Sequence, residues 1–498
     1  MAAQRLTFSE FFNLNLAKVR VLHITWFAFF ITFFMWFSHA SLMPLIQEYF
    51  GLTSAEAKAL LVLNVALTIP ARTIVGMLVD RFGPRVMFSL LLIISGVFCL
   101  GFSMAQDYTQ LALMRFLLGF SGAGFVIGIR LITEWFPVKQ AGTALGIYGG
   151  WGNFGAAAAG FVLPALAALF AGFIDAGEGW RYSVGVSGII AIIYGFVFYA
   201  FIRNTPKGAT YFSPKKMGAI EVTSKADFAL YIFMTAPMFI ALAILTWRLS
   251  PTGVALLSDN AVFGIYLFLI AFFLQQIYSI WTVNKENLAV PVAEIHRYKF
   301  KQVALLEVAY LVTFGSEVAV VSMLALHFTS IFPEWGLAKS AAIASSFMAM
   351  NLFARPLGGY FSDRVGRKLA LVIVLIGSSV GYFILAHMDE TWTTAMVLAV
   401  VIPCSFFVQA GAGAVYAVLP LIKRRFTGQI AGMVGAYGNV GAVSFLLLYS
   451  LTSAETFFFG ITATSVVALV LIQIFLDEPS GQMAEILPDG TVELISVK

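Results

Sequence analysis

The sequence predicts an all-α membrane protein of about fourteen transmembrane helices, arranged as two six-helix halves with an additional helix pair between them. Three observations support this fold class: the composition, the spacing of apolar runs and an internal repeat. Of the 498 residues, 60% are hydrophobic and only 11% are charged, and the mean hydropathy is +0.90. Soluble domains do not have such a composition. We therefore expect no soluble enzyme domain and no enzymatic activity.

Apolar runs of about twenty residues recur along nearly the whole chain, and each can cross roughly 30 Å of hydrocarbon as a helix. The runs are 22–46, 58–79, 86–105, 109–136, 141–171, 181–202, 228–247, 261–283, 303–328, 337–361, 369–388, 394–422, 429–451 and 456–476. The predicted domains are an N-terminal half (1–202), a central linker with two additional helices (203–302), a C-terminal half (303–476) and a tail (477–498).

Loop charge and cysteine content narrow the class of protein further. Lysines and arginines gather in the loops on one side of the predicted membrane, whereas the opposite loops are mostly acidic. The positive-inside rule then places both termini in the cytoplasm of a protein of the plasma (inner) membrane. No basic patch forms outside these loops, so a nucleic-acid partner is not expected.

Cys99 and Cys404 lie within apolar runs, which favours neither a disulfide framework nor a metal site, and no cofactor is expected.

The two halves repeat each other in sequence. "GMLVDRFGPR" from Gly76 and "GYFSDRVGRK" from Gly359 share the pattern G-x-x-x-D-R-x-G-x-[RK], each after the second span of its half. The fifth spans carry "GIYGGWGNFGA" from Gly146 and "GAYGNVGA" from Gly435, which share Gly-Asn-x-Gly. Such internal repetition is typical of secondary transporters, whose two halves enclose a site near the middle of the membrane.

One arginine lies deep in the second span of each half. Arg72 and Arg355 each precede the Asp-Arg of the repeated loop by eight residues, which places them about 12 Å into the membrane. Arginine does not lose its proton, and a charge near the bilayer centre costs about 3 kcal/mol on insertion scales. An anion bound between the two guanidinium groups would relieve this cost. The alternative is that each arginine pairs with a buried acid or with helix carbonyls.

The motifs resemble the major facilitator superfamily, and more specifically its nitrate/nitrite porter family. The general marks are the two repeated loops and "RFLLG" from Arg115, and the specific ones include "AGTALGIYGGWGNFGA" from Ala141, "YLVTFGSEVAV" from Tyr310 and "NLFARPLGG" from Asn351. The resemblance covers nearly all of the chain except 204–300 and implies a transporter of nitrate and nitrite. Fourteen spans depart from the superfamily's usual twelve.

The resemblance implies a set of substrate-binding residues. Arg72 and Arg355 match the arginines that hold the substrate anion in that family. Phe33, Phe125, Tyr310 and Phe314 match rings lining its site, and flat rings suit a flat anion. Gly122, Gly149, Asn153 and Asn439 lie in its glycine signatures, where the asparagine amides can donate to an oxyanion. Close helix packing is the alternative role for the glycines, and lipid contact or packing is the alternative for each ring.

Glu317 is the candidate for proton coupling, because it lies one turn beyond Phe314 in the middle of its span. Moving a monovalent anion into a negative cell interior costs about 2.3 kcal/mol per 100 mV, so accumulation requires coupling. A buried carboxyl group can take up a proton together with a bound anion, because burial and the nearby negative charge both disfavour its ionised form. Two alternatives stay open: Glu317 neutralises Arg355, or nitrate exchanges for nitrite without protons.

Several other features complete the prediction. Conformational roles are expected for Asp80, Arg81, Arg85, Asp363, Arg364 and Lys368. Arg130 and Glu134 are expected to form an i,i+4 pair, and the additional helix pair is expected to pack at the periphery against lipid. The tail could bind a regulator.

The rival functions are a fourteen-helix proton-driven drug exporter and a membrane receptor that senses the anion. The two interior arginines argue against the exporter. A nitrate importer would serve nitrate assimilation.

Overall fold

The computed structural model describes residues 9–136, 138–174, 177–209, 211, 219–289, 298–422, 427–478, 482–486 and 492–496. Over these residues, fourteen helical spans are long and apolar enough to cross a membrane. The predicted all-α membrane fold and its helix number are therefore confirmed. The spans comprise eighteen α-helices, because four of the spans are broken.

Nine helices form the first half. They are α1 (Ala17–Trp36), α2 (Ser38–Phe50), α3 (Ser54–Ala66), α4 (Thr68–Phe82), α5 (Pro84–Ser103), α6 (Tyr108–Leu118), α7 (Gly124–Trp135), α8 (Val138–Phe173) and α9 (Gly179–Phe201). The first span consists of α1 and α2, the second of α3 and α4, and the fourth of α6 and α7. A 3-10 segment, Gly119–Ala123, joins α6 to α7.

The central pair and the second half contain the other nine helices. They are α10 (Lys225–Leu249) and α11 (Asp259–Ala289), followed by α12 (Phe300–Ile331), α13 (Gly336–Ala349), α14 (Ala354–Val365), α15 (Arg367–Leu385), α16 (Thr394–Val418), α17 (Thr427–Leu451) and α18 (Ala454–Phe475). The tenth span consists of α13 and α14, joined by the 3-10 segment Met350–Leu352.

The two arginine-bearing spans are both broken just before the arginine. Pro70 lies in the first turn of α4 and Pro356 in the first turn of α14. Proline is tolerated in the first turn of a helix, but in an interior turn it has no N–H group to donate to the preceding turn. Each proline therefore favours a new helix start. Arg72 and Arg355 consequently lie near the beginning of a short helix in the middle of a span.

The halves meet along the helices of their fifth spans. In the first half α8 packs against α13 and α14, and in the second half α17 packs against α3 and α4. Close backbone approach requires glycine here, since a Cβ on Gly150 would lie 2.6 Å from the Asn351 carbonyl oxygen. Close helix packing, the alternative role expected for the glycine signatures, is therefore present at Gly150.

The end of the bundle that carries the two repeated loops, here called the repeat-loop end, is built on the same plan in both halves. Gly83 and Gly366 adopt φ values of +83° and +107°, which glycine tolerates without strain. The residue three positions after the sixth span then caps the third span. Asn204 Oδ1 accepts from the Arg85 N–H at 2.9 Å, and the Glu478 carboxylate accepts from the Arg367 and Lys368 N–H groups at 2.7 Å each. The first half thus has a neutral cap and the second half a charged one.

The additional pair lies on one side of the contact between the halves. Helix α10 packs against α12 and α17 and touches α3, whereas α11 packs chiefly against α10 and is largely exposed. Tyr437 on α17 donates a hydrogen bond to the Met234 carbonyl of α10. At the opposite end Arg248 Nε donates to Ser450 Oγ at 2.8 Å. Helix α10 is therefore attached to the second half, while α11 keeps the peripheral position that the sequence predicted.

The tail differs from an all-helical expectation. Residues Gln482–Ile486 and Val492–Ser496 pair as an antiparallel two-stranded hairpin, with Gln482 opposite Ser496. Before the hairpin, Asp477 accepts from Lys299 Nζ at 2.9 Å. This hydrogen bond to an ammonium group lowers the pKa of Asp477 below its ordinary value,. The tail is thereby joined to the residue that precedes α12.

Candidate functional site

Arg72 and Arg355 are both buried where the halves meet, with exposed fractions of 0% and 3%. Neither side chain faces lipid. The centroid of the Phe314 ring lies 4.9 Å from the Arg72 guanidinium carbon and 5.6 Å from that of Arg355. Both guanidinium groups therefore form cation–π pairs with the same aromatic ring.

Arg72 is held by backbone carbonyls. Its Nε donates to the Gly122 oxygen at 3.0 Å, and its Nη1 donates to the Gly435 oxygen at 2.8 Å. The Gly122 carbonyl is available because it lies in the 3-10 segment of the fourth span, where regular helix hydrogen bonding is interrupted,. Thr68 Oγ1 similarly donates to the Gly119 oxygen at 2.5 Å. Backbone carbonyls outside regular helix need such partners in a membrane. The Gly122 carbonyl therefore accepts from Arg72, and the Arg72 guanidinium gains an acceptor.

Arg355 is held by a carboxylate. Its Nη2 lies 2.8 Å from Glu317 Oε2, and Asn351 Nδ2 donates to Glu317 Oε1 at 2.8 Å. Glu317 is fully buried. Of the alternatives that the sequence left open for Glu317, neutralisation of Arg355 is therefore the arrangement present in this conformation. Eight residues of chain separate Arg355 from Asp363 of the repeated loop, or about 12 Å along a helix axis.

Each arginine also contacts the fifth span of the other half. Arg72 of the first half binds Gly435 on α17, and Arg355 of the second half binds Asn153 on α8. With its amide oxygen facing the guanidinium, Asn153 accepts from Arg355 Nη2 at 2.9 Å and from Nη1 at 2.5 Å. Asn153 thus acts here as an acceptor, whereas the sequence predicted a donor to an oxyanion. The two contacts join corresponding spans, although the repeat places Gly435 opposite Gly149 and Asn153 opposite Asn439.

Aromatic rings surround the arginines. Phe125 lies 5.3 Å from the Arg72 guanidinium carbon, and Tyr310 stacks on Phe314 with centroids 4.9 Å apart and an interplanar angle of 4°. Tyr416 contacts both Phe125 and Tyr310 edge-on, at 5.1 and 5.0 Å. Phe33 packs instead against Phe29, Trp36 and Phe37, whereas the described cation–π pairs of the two arginines are with Phe125 and Phe314.

The remaining predicted binding residues lie around the arginines as well. A Cβ on Gly149 would lie 3.5 Å from Arg355 Cδ, so this glycine lies directly beside the arginine side chain. Asn439 Nδ2 donates to the Gly435 oxygen at 3.1 Å, which is the same oxygen that accepts from Arg72. Asn439 therefore touches the site through Gly435 and not through an arginine.

The charge of the site is one net positive when Glu317 is ionised, because the described charged groups that interact here are Arg72, Arg355 and Glu317. Several polar atoms of the cluster lack a partner among the described residues. These atoms are Arg72 Nη2, Arg355 Nε and Asn439 Oδ1. The two arginine atoms can donate hydrogen bonds. A buried cluster with excess positive charge and free donors is suited to bind one small monovalent anion.

The predicted conformational residues lie at the repeat-loop end. Arg85 Nε donates to the Tyr199 oxygen at 2.7 Å, and the Lys368 N–H contacts the Glu478 cap. Arg81 and Arg364 each lie over a ring of their own helix, Phe82 at 5.3 Å and Tyr360 at 4.9 Å. The side chain of Asp363 lies outside the described residues.

The remaining predicted charge, Asp80, belongs to an ion-pair network. Arg130 lies 3.2 Å from Asp80 and 2.9 Å from Glu134. The expected pair between Arg130 and Glu134 is therefore present. Tyr211 of the linker donates to the Val79 oxygen at 2.7 Å beside this network.

Sequence reasoning missed three members of the site: Gly435 as a carbonyl acceptor, Tyr416 and Asn351. Gly435 begins the quoted "GAYGNVGA", and Asn351 begins "NLFARPLGG", so both stood inside motifs whose other residues drew attention. The spacing of four residues between Asn351 and Arg355 could have indicated that the two lie near each other on the same side of the span. Nothing in the sequence pointed to Tyr416, which follows the glycine-alanine run of α16 and belongs to neither of the quoted repeats.

Comparison with known proteins identifies the family of this chain. Residues 25–443 match the Major Facilitator Superfamily. The chain is 42% identical to the nitrate/nitrite transporter NrtP of Picosynechococcus, over 96% of each chain, and 43% identical to NrtP of Nostoc punctiforme, over 94% of each. Among solved structures, the proton:xylose symporter XylE superposes with a TM-score of 0.58 at 14% identity, covering 93% of this chain and 96% of the other.

Proposed function

Because the chain belongs to the nitrate/nitrite porter family of the major facilitator superfamily, we propose that it imports nitrate, and also nitrite, through the site between Arg72 and Arg355. The observation that carries the proposal is the excess positive charge of this site, which lies buried between the halves. One bound monovalent anion neutralises it, whereas a cationic drug would add a further positive charge. The site is also lined by stacked rings that fit a planar ion better than a bulky one.

The anion competes with protein groups for the arginines. In the conformation described, carbonyl oxygens of Gly122 and Gly435 occupy two donors of Arg72, and Glu317 and Asn153 occupy Arg355. Nitrate offers three oxygens and can accept fork-shaped hydrogen bonds from guanidinium groups. We infer that it binds by replacing the cross-half partners, Gly435 on one side and Asn153 on the other. Binding then changes the contacts between the halves directly.

Alternating access follows from these cross-half contacts. The bonds from Arg72 to α17 and from Arg355 to α8 hold the two halves together without substrate. An anion that takes their place allows the halves to rock about the site and to open it to each side of the membrane in turn. The loops at the repeat-loop end would lock one of the two orientations.

Glu317 supplies the coupling that we propose. As an ionised carboxylate it holds Arg355, whereas a protonated Glu317 leaves that guanidinium free for nitrate. Proton uptake and anion uptake therefore support each other at one side of the membrane, and the return of Glu317 to Arg355 expels the anion at the other. The expected sign is that transport rises as the outer pH falls.

Nitrate/nitrite exchange is the second candidate, and the charge of the site favours it. With Glu317 ionised and paired, the site carries one net positive charge and becomes neutral with one anion. A cycle in which only the loaded, neutral site crosses the membrane needs no titrating group. In this cycle Glu317 acts only as the fixed partner of Arg355.

Reconstitution into liposomes separates the two candidates. Labelled nitrate uptake is followed with an inward pH gradient, without one, and with nitrite trapped inside. The proposal predicts accumulation that requires the pH gradient and collapses with a proton ionophore. Uptake that occurs only with trapped nitrite would exclude proton symport and establish exchange, and an absence of any nitrate flux would reject the transport function itself.

A further inference from the structure

A second buried carboxyl group, Glu307, lies on α12 at a distance from the anion site. It precedes Glu317 by ten residues, or about 15 Å along the helix axis toward the repeat-loop end. Glu307 is fully buried, with an exposed fraction of 0%. Neither of its carboxyl oxygens has a hydrogen-bond partner among the residues that the structure describes. Glu317, by contrast, accepts from two donors.

The helices that bring titratable groups near Glu307 are α17 and α10 of the additional pair, which both pack against α12. The titratable groups in electrostatic range of it are Tyr231 on α10 and Tyr437 on α17. Tyr437 donates its hydroxyl proton to the Met234 carbonyl, and the Tyr231 hydroxyl accepts from the Ile220 N–H at 3.4 Å. The basic residues Lys299 and Lys301 lie at the start of α12, and Lys299 pairs with Asp477. Neither is paired with Glu307 among the described ion pairs.

An ionised carboxylate in this position would lack both a counterion and a hydrogen bond. Such a charge is strongly unfavourable in a low-dielectric interior, whereas a protonated carboxyl group costs only as much as an uncharged polar group. Ionisation of Glu307 therefore requires water to enter between α10, α12 and α17. Helix α17 also carries Gly435, whose carbonyl binds Arg72, so rearrangement of the anion site moves one wall of this second site.

We propose that Glu307 is a second proton-binding site, which holds a proton while α10, α12 and α17 are packed together and releases it when they separate. The ligand is the proton itself, and the additional helix pair provides part of the seal that keeps water out. Glu307 and Glu317 then titrate separately, one beside an arginine and one without a charged partner. The consequence for transport, that this proton moves in phase with nitrate, rests on the proposed function.

The proton can be measured directly, without any transport assay. Infrared difference spectra of the purified full-length protein in lipid nanodiscs are recorded across neutral pH for the wild type, Glu307→Gln and Glu317→Gln. A protonated carboxyl group has a carbonyl stretch separate from that of a carboxylate. We expect this band in the wild type at neutral pH, its loss in Glu307→Gln and its retention in Glu317→Gln. Glu307→Leu, which keeps the apolar packing, should lose it equally and serves if the glutamine variant does not fold. A band that persists in either Glu307 variant would overturn the proposal.

Transport then tests the coupling. In liposomes, Glu307→Gln should retain nitrate/nitrite exchange within twofold of the wild type, because it touches neither arginine. Accumulation driven by a pH gradient should fall at least fivefold. Unchanged accumulation would contradict the coupled role of Glu307. Nitrate/nitrite exchange by Glu307→Gln reports on the anion site alone. An absence of nitrate flux in the wild type would therefore count against the proposed function, whereas the infrared band tests the proton site independently of transport.

Discussion

The two halves of this transporter share a backbone plan but differ in charge. Both place an arginine after a proline-associated break in the second span, and both arginines reach the fifth span of the opposite half. Arg72 is bound by carbonyl oxygens, whereas Arg355 is bound by the ionisable Glu317. The first half therefore presents a positive charge without an acidic partner, and the second half presents one that is paired with a carboxylate. The two halves share their geometry, and the proton coupling that we propose depends on this difference in charge.

The largest effects are expected at the arginines. Arg72→Lys and Arg355→Lys each remove a planar fork that one ammonium group cannot replace. Hydrogen bonds to charged groups contribute about 1.5–3 kcal/mol, so nitrate uptake in liposomes should fall at least tenfold in either variant. Arg20→Lys, outside the site, is the matched control and should retain wild-type uptake.

Unchanged uptake in one arginine variant would remove that residue from the site. Equal folding of both variants, checked by size-exclusion chromatography, keeps this comparison valid. A loss confined to one half would show that a single arginine carries the anion.

The next effect is expected at Glu317, where the halves differ most. Glu317→Gln frees Arg355 permanently and raises the net charge of the site to two, so nitrate should bind several-fold tighter in calorimetry. Uptake should also rise less toward acid pH, because the proton that competes with Arg355 for this carboxylate is gone. Glu317→Asp is the control, since it keeps a titrating group. A pH profile in Glu317→Gln that matches the wild type would assign the coupling elsewhere.

A glycine pair on α17 gives an intermediate effect. A Cβ on Gly438 would lie 2.6 Å from Phe314 and 2.8 Å from Tyr310, whereas a Cβ on Gly432 would meet nothing within 4 Å. Gly438→Ala displaces the stacked rings and should lower nitrate affinity by about tenfold, or about 1.4 kcal/mol, which lies within the roughly 1–3 kcal/mol that overpacking costs. Gly432→Ala should leave affinity unchanged. Equal affinities in the two variants would show that the ring stack is not part of the anion site.

The smallest effect is expected at the caps of the repeat-loop end, where the halves again differ in charge. Asn204→Ala and Glu478→Ala each remove a helix cap and should lower the free energy of unfolding by about 1 kcal/mol. The loss at Glu478 alone should shrink in high salt, because only that cap is charged. Thermal unfolding in detergent measures both, with the exposed loop variant Glu390→Ala as control. Identical salt dependence of the two variants would contradict the difference in charge.

Most of the fold was predictable from the sequence, because length and hydropathy determine a membrane helix almost by themselves. The internal repeat also identified the two arginines and the glycine-rich fifth spans. The breaks within four spans were not predicted, although Pro70 and Pro356 marked two of them. Hydropathy does not distinguish a continuous helix from two short ones in line. The tail hairpin was missed because "QMAEI" and "VELIS" lie in a short polar segment beyond the last span.

The site was predicted in composition but not in its contacts. Arg72, Arg355, Phe125, Tyr310 and Phe314 lie together, whereas Phe33 packs elsewhere in the first half. Glu317 was identified from its depth in the span, but depth alone could not tell whether it faces Arg355. Gly435 contributes a carbonyl oxygen, and a backbone group leaves no trace in the side-chain pattern. Contacts between the halves depend on their docking, which no local sequence feature specifies.

The central claim is that one small anion binds between Arg72 and Arg355 in place of their cross-half partners. An experimental structure of the protein with nitrate bound tests it most directly. We predict planar density within hydrogen-bonding distance of both guanidinium groups, with the contact from Arg72 to Gly435 or that from Arg355 to Asn153 lengthened beyond hydrogen-bonding range. Nitrate density elsewhere, with both cross-half contacts and the Glu317 pair intact, would contradict the account.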